Sequence, residues 1–249
     1  MSYLVKEKPG IKFKWSHQML VHRIAVRIAN KILGIIPLKM KYWIVIRRKK
    51  NEVPYSIVSG KTVVQVGAPF DTLNAGRSRG MCFCLAVGEL GQVVIVEPLK
   101  QSCEAFEDAV SRFGLKNVIV HNSGAWSESG ESTIKVDLKH PATNYTTNTV
   151  NYSEERETQF EDVPVDLHTI DQVAERYELD TVDILSITTN WAEREILAGA
   201  RKLLENGTKY VCLAYGKDGE DYHDLMASYG YKLLSHDDRG VTYEKASLS

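Results

Sequence analysis

Glycine and carboxylate side chains stand directly after apolar runs of this chain, where they could contact a nucleoside. Gly67 follows the run 63–66, and Glu97 follows the run 93–96. A glycine lets a ligand approach the backbone because it lacks a Cβ, and a carboxylate can accept hydrogen bonds from both ribose hydroxyls. Taken singly, a tight-turn glycine and a solvated strand-end carboxylate are the better interpretations. Their order along the chain favours a ligand site instead.

A polar turn follows the third apolar run, 118–120, and extends the same pattern. It contains Ser123, Gly124, Ala125 and Trp126. Its polar groups are suited to reading the edge of an adenine, and the Trp126 ring to covering an adenine face. The three turns together predict a site for an adenosine-containing ligand.

Short apolar runs alternate with helical patterns from residue 61 onward, which predicts the elements that position these turns. The alternation is typical of an α/β fold with a doubly wound, mostly parallel sheet, whose ligands bind at the carboxyl ends of the strands. The strand candidates are 63–66, 93–96, 118–120, 182–187 and 210–215, and the helix candidates are 78–90, 101–113, 169–177, 191–204 and 219–229. The tail predicts an antiparallel hairpin around residues 238–240. The few apolar residues of 137–162 predict a long loop over the site.

Several other ligand classes lack their sequence signals. The glycines near the first turn, Gly67, Gly76 and Gly80, are too widely spaced for the G-x-G-x-x-G dinucleotide pattern, and no P-loop is present. The four cysteines form no C-x-x-C pair, so we expect no metal site and interpret them as buried thiols in a reducing compartment.

The positive charge of the chain is concentrated in its first 50 residues. They hold thirteen Lys or Arg residues and one acidic residue, Glu7, although the whole chain has a net charge of −1. Residues 17–36 predict an amphipathic helix, and 41–50 predict a short strand ending in a basic cluster. We therefore divide the chain into a basic segment, 1–60, and an α/β domain, 61–249.

This basic segment has three interpretations. The helix packs on its own domain, or residues 17–50 lie on an anionic membrane surface, or the charge attracts nucleic acid. Nucleic acid ranks last because no recognised nucleic-acid module accompanies the charge. Arg23, Arg27 and Lys31 interrupt the apolar run, which excludes a spanning helix and a secretory signal. We expect a cytoplasmic protein, with peripheral attachment at the inner membrane face as the alternative.

The motifs of the body resemble the FkbM-type methyltransferase family. The resemblance rests on VVQVGA (63–68), VVIVEP (93–98), NVIVHNSGAWSESGES (117–132), VDLHTIDQV (165–173) and VDILSITTNWAEREILAGARKLL (182–204). It implies the seven-stranded, Rossmann-like class I methyltransferase sheet. It also implies methyl transfer from S-adenosylmethionine to a hydroxyl oxygen of a sugar, a lipid-linked molecule or another small molecule.

The resemblance assigns cofactor contacts to the strand-end residues. Gly67 and Ala68 would line the methionine end of the cofactor, Glu97 and the adjoining Pro98 would hold the ribose, and Ser123–Trp126 would lie near adenine. The family carries an acid where this chain has Gln65, and it carries Asp-x-Glu-Gly where this chain has 188–191. Thr188 and Asn190 cannot act as bases at neutral pH but could orient a substrate.

Loss of those carboxylates leaves the proton acceptor to other residues. Methylation of a hydroxyl requires a general base, and Asp71 and His140 are the candidates. Asp71 is equally well interpreted as an N-terminal helix residue, and His140 as an ordinary loop histidine. Asp71 also belongs to the predicted cofactor set. Arg77 and Arg79 are candidates for binding an anionic substrate or the cofactor carboxylate, with solvated surface side chains as the alternative. A methyltransferase-fold protein that binds without turnover, or a membrane-docked scaffold, is the alternative function.

Overall fold

The structure is a computed structural model that describes residues 36–137, 145–146, 160–214 and 222–246. The predicted amphipathic helix 17–36, apart from its last residue, lies outside these ranges. Within them, no helix is long and apolar enough to cross a membrane.

Seven strands form one large sheet, as predicted. They are β1 (Thr62–Val66), β2 (Gln92–Glu97), β3 (Val118–Asn122), β8 (Ile184–Ile187), β9 (Tyr210–Ala214), β10 (Tyr231–His236) and β11 (Gly240–Lys245). The spatial order is β10-β11-β9-β8-β1-β2-β3, and β11 runs antiparallel to both of its neighbours. The other pairs are parallel, and the predicted terminal hairpin is β10–β11.

Eight helices connect or flank these strands in the described part of the chain. They are α1 (Leu38–Lys49), α2 (Phe70–Asn74), α3 (Arg79–Ala86), α4 (Lys100–Phe113), α5 (Ile170–Arg176), α6 (Glu193–Ala198), α7 (Arg201–Asn206) and α8 (His223–Ser228). A single 3-10 turn spans Tyr55–Ile57.

The sheet is buried on both faces, which explains why its strands are continuously apolar. Val63 and Ile95 pack on one face with Phe83 of α3 and Phe106 of α4. The other face of the sheet packs against α5, α6, α7 and α8. The layers of the molecule therefore follow the doubly wound pattern predicted from the sequence.

Two local predictions are wrong. In the predicted strand 41–50, residues 41–49 belong to α1 and Lys50 caps it, because Tyr42 anchors a helical face in the core while its neighbour Trp43 faces outward. The helix predicted over 191–204 is broken into α6 and α7 around Gly199, where a Cβ would overlap the Trp126 carbonyl oxygen.

A second sheet covers the end of the first and was not predicted. Its strands are β4 (Gly124–Ala125), β5 (Gly130–Asp137), β6 (Tyr145–Thr146) and β7 (Phe160–His168) in the order β4-β7-β5-β6. Three stretches of the predicted loop 137–162 are therefore strand: the end of β5, β6 and the start of β7. Leu99, Ile134, Val136, Val165 and Leu167 form a separate small core beneath this sheet.

Candidate functional site

Hydrogen bonds join the carboxyl ends of the central strands into one edge. The Gly67 N–H donates to the Val96 carbonyl oxygen at 2.9 Å, and the Thr188 N–H donates to the Val66 carbonyl oxygen at 2.9 Å. The Ala68 N–H donates to Oε2 of Glu97 at 2.7 Å. Gly67 and Glu97 are thus adjacent, as the sequence pattern required.

Gly67 lies at this edge and has no side chain. Its φ of +83° is a backbone conformation that L side chains rarely adopt. A Cβ here would also overlap the backbone carbonyl oxygen of Thr188. Glycine is therefore required here by the backbone conformation and by the close approach of the ends of β1 and β8.

Glu97 ends β2 as a buried carboxyl group held by backbone donors. Its two oxygens accept hydrogen bonds from Ala68 N–H and, at 3.1 Å, from Leu99 N–H. Burial raises the pKa of Glu97 to about 7, the two backbone donors oppose that rise, and the nearby Asp71 charge adds to it. The carboxylate keeps lone pairs for two further donors, such as ribose hydroxyls.

The end of β3 lies against the end of β2. The Asn122 side-chain amide donates to the carbonyl oxygens of Glu97 and Pro98 at 3.0 and 2.8 Å. A Cβ on Gly124 would come within 3.9 Å of the Pro98 ring, although it would first meet Leu167. Pro98 therefore lies where the two strand ends meet, as the predicted site required.

The turn after β3 is shaped by the second sheet. Ser123 is buried with its hydroxyl unpaired, and Gly124 and Ala125 are strand residues paired with β7. The Trp126 N–H donates to the carbonyl oxygen of His168 at 3.1 Å. The predicted adenine-side residues thus follow β3 directly on rigid backbone.

Gln65 and Thr188 form a polar contact that the sequence reasoning missed. The Gln65 side-chain amide donates to Thr188 Oγ1 at 2.7 Å and to the carbonyl oxygens of Val66 and Gly67. Both residues stand where the family pattern has an acid. An amide and a hydroxyl can satisfy one another there, whereas two carboxylates at this separation would repel. Comparing the departures as a pair could have revealed the contact.

Asp71 lies in the first turn of α2, three residues beyond Ala68. Its Oδ1 accepts a hydrogen bond from Thr72 N–H at 2.8 Å. The group is half-buried and close enough to Glu97 to influence its charge. Both interpretations of Asp71 are compatible with this position. Asn190 is also half-buried, after β8, and His140 lies outside the described residues.

Arg77 and Arg79 have opposite environments. Arg77 is exposed, but the Arg79 side chain is 1% exposed and its Nη2 contacts both oxygens of Asp237 at 2.7 and 2.6 Å. The prediction that Arg79 binds substrate is therefore wrong, because its charge is already paired inside the protein. Arg77 keeps a surface position near the Asp71 helix.

A histidine cluster at the edge of the sheet was also missed. His121 Nε2 lies 2.8 Å from His168 Nδ1, and His121 Nδ1 lies 3.0 Å from the Tyr177 hydroxyl. Burial, followed by the His168 and Arg176 charges, lowers the pKa of His121 to about 4. The cluster borders a cavity of about 420 Å³. No sequence spacing signals it, since the residues come from β3, β7 and the end of α5.

Metal ligands do not gather in the described part of the chain, where no three His, Cys, Asp or Glu residues form a metal-binding group. The four cysteines are buried free thiols. Burial raises the pKa of Cys82 and of Cys212 to about 11, so both are thiols at neutral pH.

Several solved structures are similar to this chain at low sequence identity. The methyltransferase FkbM of Methylobacillus flagellatus KT is 16% identical over 78% of this chain, with a TM-score of 0.50, and the chain spans 48% of that protein. A methyltransferase of Geobacter sulfurreducens is 13% identical, with 89% and 96% of the two chains covered and a TM-score of 0.46. Aeropyrum pernix fibrillarin, solved with S-adenosylmethionine, is 12% identical, with 83% and 76% of the two chains covered and a TM-score of 0.43. None of the curated proteins matches the sequence.

A family model settles the relationship that the motifs suggested. The model for the methyltransferase FkbM domain matches residues 65–233, which is more than half of the chain. The matched range begins in β1 and ends in β10, so it spans the strand-end edge with Gly67 and Glu97. The chain belongs to the FkbM family of S-adenosylmethionine-dependent methyltransferases.

Proposed function

We propose that this chain transfers a methyl group from S-adenosylmethionine to a hydroxyl oxygen of a sugar, a lipid-linked sugar or another small hydroxylated molecule. The observation that carries the proposal is the contact between Ala68 N–H and the buried Glu97 carboxylate. It joins the Gly67–Ala68 turn to a carboxylate that can accept ribose hydroxyls, at the ends of β1 and β2 and beside the switch in strand order between β1 and β8, where such sheets bind ligands.

The residues at this edge fit the cofactor. Gly67 has no side chain, and Glu97 has acceptor capacity left after its two backbone hydrogen bonds. Glu97 would accept the ribose hydroxyls, Gly67 and Ala68 would line the methionine end, and Ser123–Trp126 would border adenine. Bound S-adenosylmethionine supplies an electrophilic methyl group on a sulfonium.

The remaining chemistry is removal of the acceptor proton. Methylation of a hydroxyl oxygen would release the hydroxyl proton, and a base of the protein would have to accept it. Asp71 is our candidate because it is a half-buried carboxylate on the turn that leaves the cofactor edge. Thr188 donates to the Gly67 carbonyl oxygen at 3.1 Å and would position the turn rather than take the proton.

The rival function is a protein that binds the cofactor without turning it over. Its support is the replacement of the expected carboxylates by Thr188 and Asn190. Calorimetric titration with S-adenosylmethionine and S-adenosylhomocysteine, followed by measurement of S-adenosylhomocysteine release with hydroxylated acceptors, separates the two. Binding together with acceptor-dependent release supports the enzyme, whereas binding without release from any acceptor supports the rival.

The role of Asp71 is tested by Asp71→Asn. We expect kcat to fall about 100-fold, the usual contribution of a general base, with a smaller effect on cofactor affinity. Asp108→Asn is the matched control because Asp108 is exposed on α4 in a surface pair with Arg112. If Asp71→Asn and Asp108→Asn turn over at the same rate, Asp71 is not the base.

A further inference from the structure

Helix α1 presents an apolar stripe to solvent. Met40, Trp43 and Ile44 are 46%, 58% and 39% exposed, and their spacing of three and four residues places them on one helical face. The Arg47 guanidinium lies 4.7 Å from the centre of the Trp43 ring, one turn further along the same face. The stripe therefore ends in a positive charge.

The opposite face of α1 is fixed to the domain. Tyr42 is fully buried, its hydroxyl donates to the Leu73 carbonyl oxygen at 3.0 Å, and it accepts from Ser78 N–H at 3.2 Å. Lys49 pairs with Asp238 at the β10–β11 turn. The helix cannot rotate its apolar stripe inward without breaking these contacts.

Positively charged residues precede and follow the stripe in the sequence. Residues 38–50 contain six Lys or Arg residues and no acid, and the 35 residues at the start of the chain contain seven more with one acid. Residues 51–249, in contrast, carry 18 basic and 31 acidic residues. A basic surface with an aromatic and aliphatic centre is complementary to an anionic lipid bilayer.

We propose that the outer face of α1 docks on an anionic membrane surface. Trp43, Met40 and Ile44 insert at the boundary between headgroups and acyl chains, and Lys39 and Arg48 lie against the phosphates. The helix has 12 residues, which suits a helix lying in the interface rather than one that spans the bilayer.

Docking would also bring the candidate active-site turn to the membrane. Tyr42 holds both ends of the segment 73–78, which follows Asp71 directly. An acceptor carried on a lipid could then reach that turn. This consequence rests on the proposed methyl transfer, whereas the docking itself does not.

The experiment is cosedimentation of the full chain with vesicles of phosphatidylcholine containing 30% phosphatidylglycerol, beside vesicles of phosphatidylcholine alone. We expect binding to the anionic vesicles that weakens as salt rises. The triple variant Lys39→Gln/Arg47→Gln/Arg48→Gln should lower the partition coefficient roughly 100-fold, since each basic residue near such a surface contributes about a factor of five. Trp43→Ser should lower it roughly tenfold.

Matched controls lie on other surfaces. Lys116→Gln/Lys202→Gln/Lys232→Gln removes the same number of exposed charges, and Leu90→Ser removes an apolar side chain that is 93% exposed. We expect binding close to that of the unchanged chain. Unchanged thermal midpoints would show that all variants are folded.

Four outcomes would overturn the proposal. They are absence of binding to anionic vesicles, equal loss in the α1 and control charge variants, a dimer by light scattering that Trp43→Ser dissociates, and α1-dependent binding to nucleic acid without vesicle binding. The dimer would make this face a contact between two copies of the chain. None of these outcomes depends on enzymatic turnover, so each is distinguishable from failure of the proposed function.

Discussion

Two buried carboxylates of this protein, Glu97 and Asp237, are held in opposite ways. Glu97 receives hydrogen bonds from the backbone N–H groups of Ala68 and Leu99 and has a pKa of about 7. Asp237 receives backbone N–H groups as well, from Arg239 and Gly240, but it also contacts the buried guanidinium of Arg79.

The difference lies in what each carboxylate can still do. A guanidinium neutralises Asp237, so this pair joins α3 to the β10–β11 turn. Glu97 is buried beside two backbone donors, and no ion pair within the described part of the chain neutralises it, so its charge stays unfavourable until further donors bind it. The carboxylate without a cation is therefore the one suited to a ligand, and the paired one is structural.

The largest expected effect breaks the structural pair. Arg79→Leu should lower the free energy of unfolding by about 3–5 kcal/mol, because Asp237 is left buried with an uncompensated charge. Urea denaturation measures this loss. The double variant Arg79→Leu/Asp237→Leu should recover only part of it, because it also removes the acceptor of the Arg239 and Gly240 N–H groups. Arg112→Ala, at an exposed pair, should change stability by less than about 0.5 kcal/mol. A single variant as stable as the double one would contradict the structural role.

The next largest effect is expected at Gly67, beside Glu97. Gly67→Ala should lower the free energy of unfolding, or the free energy of cofactor binding, by about 2 kcal/mol. The reason is that a Cβ at φ +83° overlaps the Thr188 carbonyl oxygen. Gly60→Ala is the control, since its φ is +70° but no atom lies within 4 Å of the added Cβ. Gly60→Ala introduces the backbone strain without a steric overlap, so this variant should bind the cofactor with unchanged affinity. If both variants bind the cofactor equally well by calorimetry, Gly67 is a turn residue rather than part of the site.

Glu97 was easier to predict from the sequence than the Arg79–Asp237 pair. Gly67 and Glu97 follow continuous apolar strands, and parallel strands bring such residues to one edge. The Arg79–Asp237 pair joins α3 to the β10–β11 turn, 158 positions apart, and local patterns carry no signal for it. The burial of Tyr42 in a helix was not predicted, because a short apolar run does not distinguish a helix from a strand.

Glu97→Gln should have the reverse profile of Arg79→Leu. We expect cofactor affinity to weaken by about 1–2 kcal/mol, since an amide cannot accept both ribose hydroxyls with the strength of a carboxylate. The free energy of unfolding should change less, because the substitution also removes a buried charge. Calorimetric titration and urea denaturation of the same sample measure the two quantities. Stability lost at unchanged affinity would make Glu97 a second structural carboxylate.

The smallest effect is a pH dependence that only the unpaired carboxylate should show. The pKa of Glu97 is raised from 4.5 to about 7, so this group disfavours the folded state increasingly as pH rises from 4.5 through 7. Ribose hydroxyls stabilise the ionised form of Glu97, so affinity for the cofactor should rise as pH rises through the pKa of this group. Between pH 6 and pH 8 we expect a gain of about tenfold in calorimetric affinity. Glu97→Gln should flatten this profile, and an equally steep profile in that variant would assign the titration to another group.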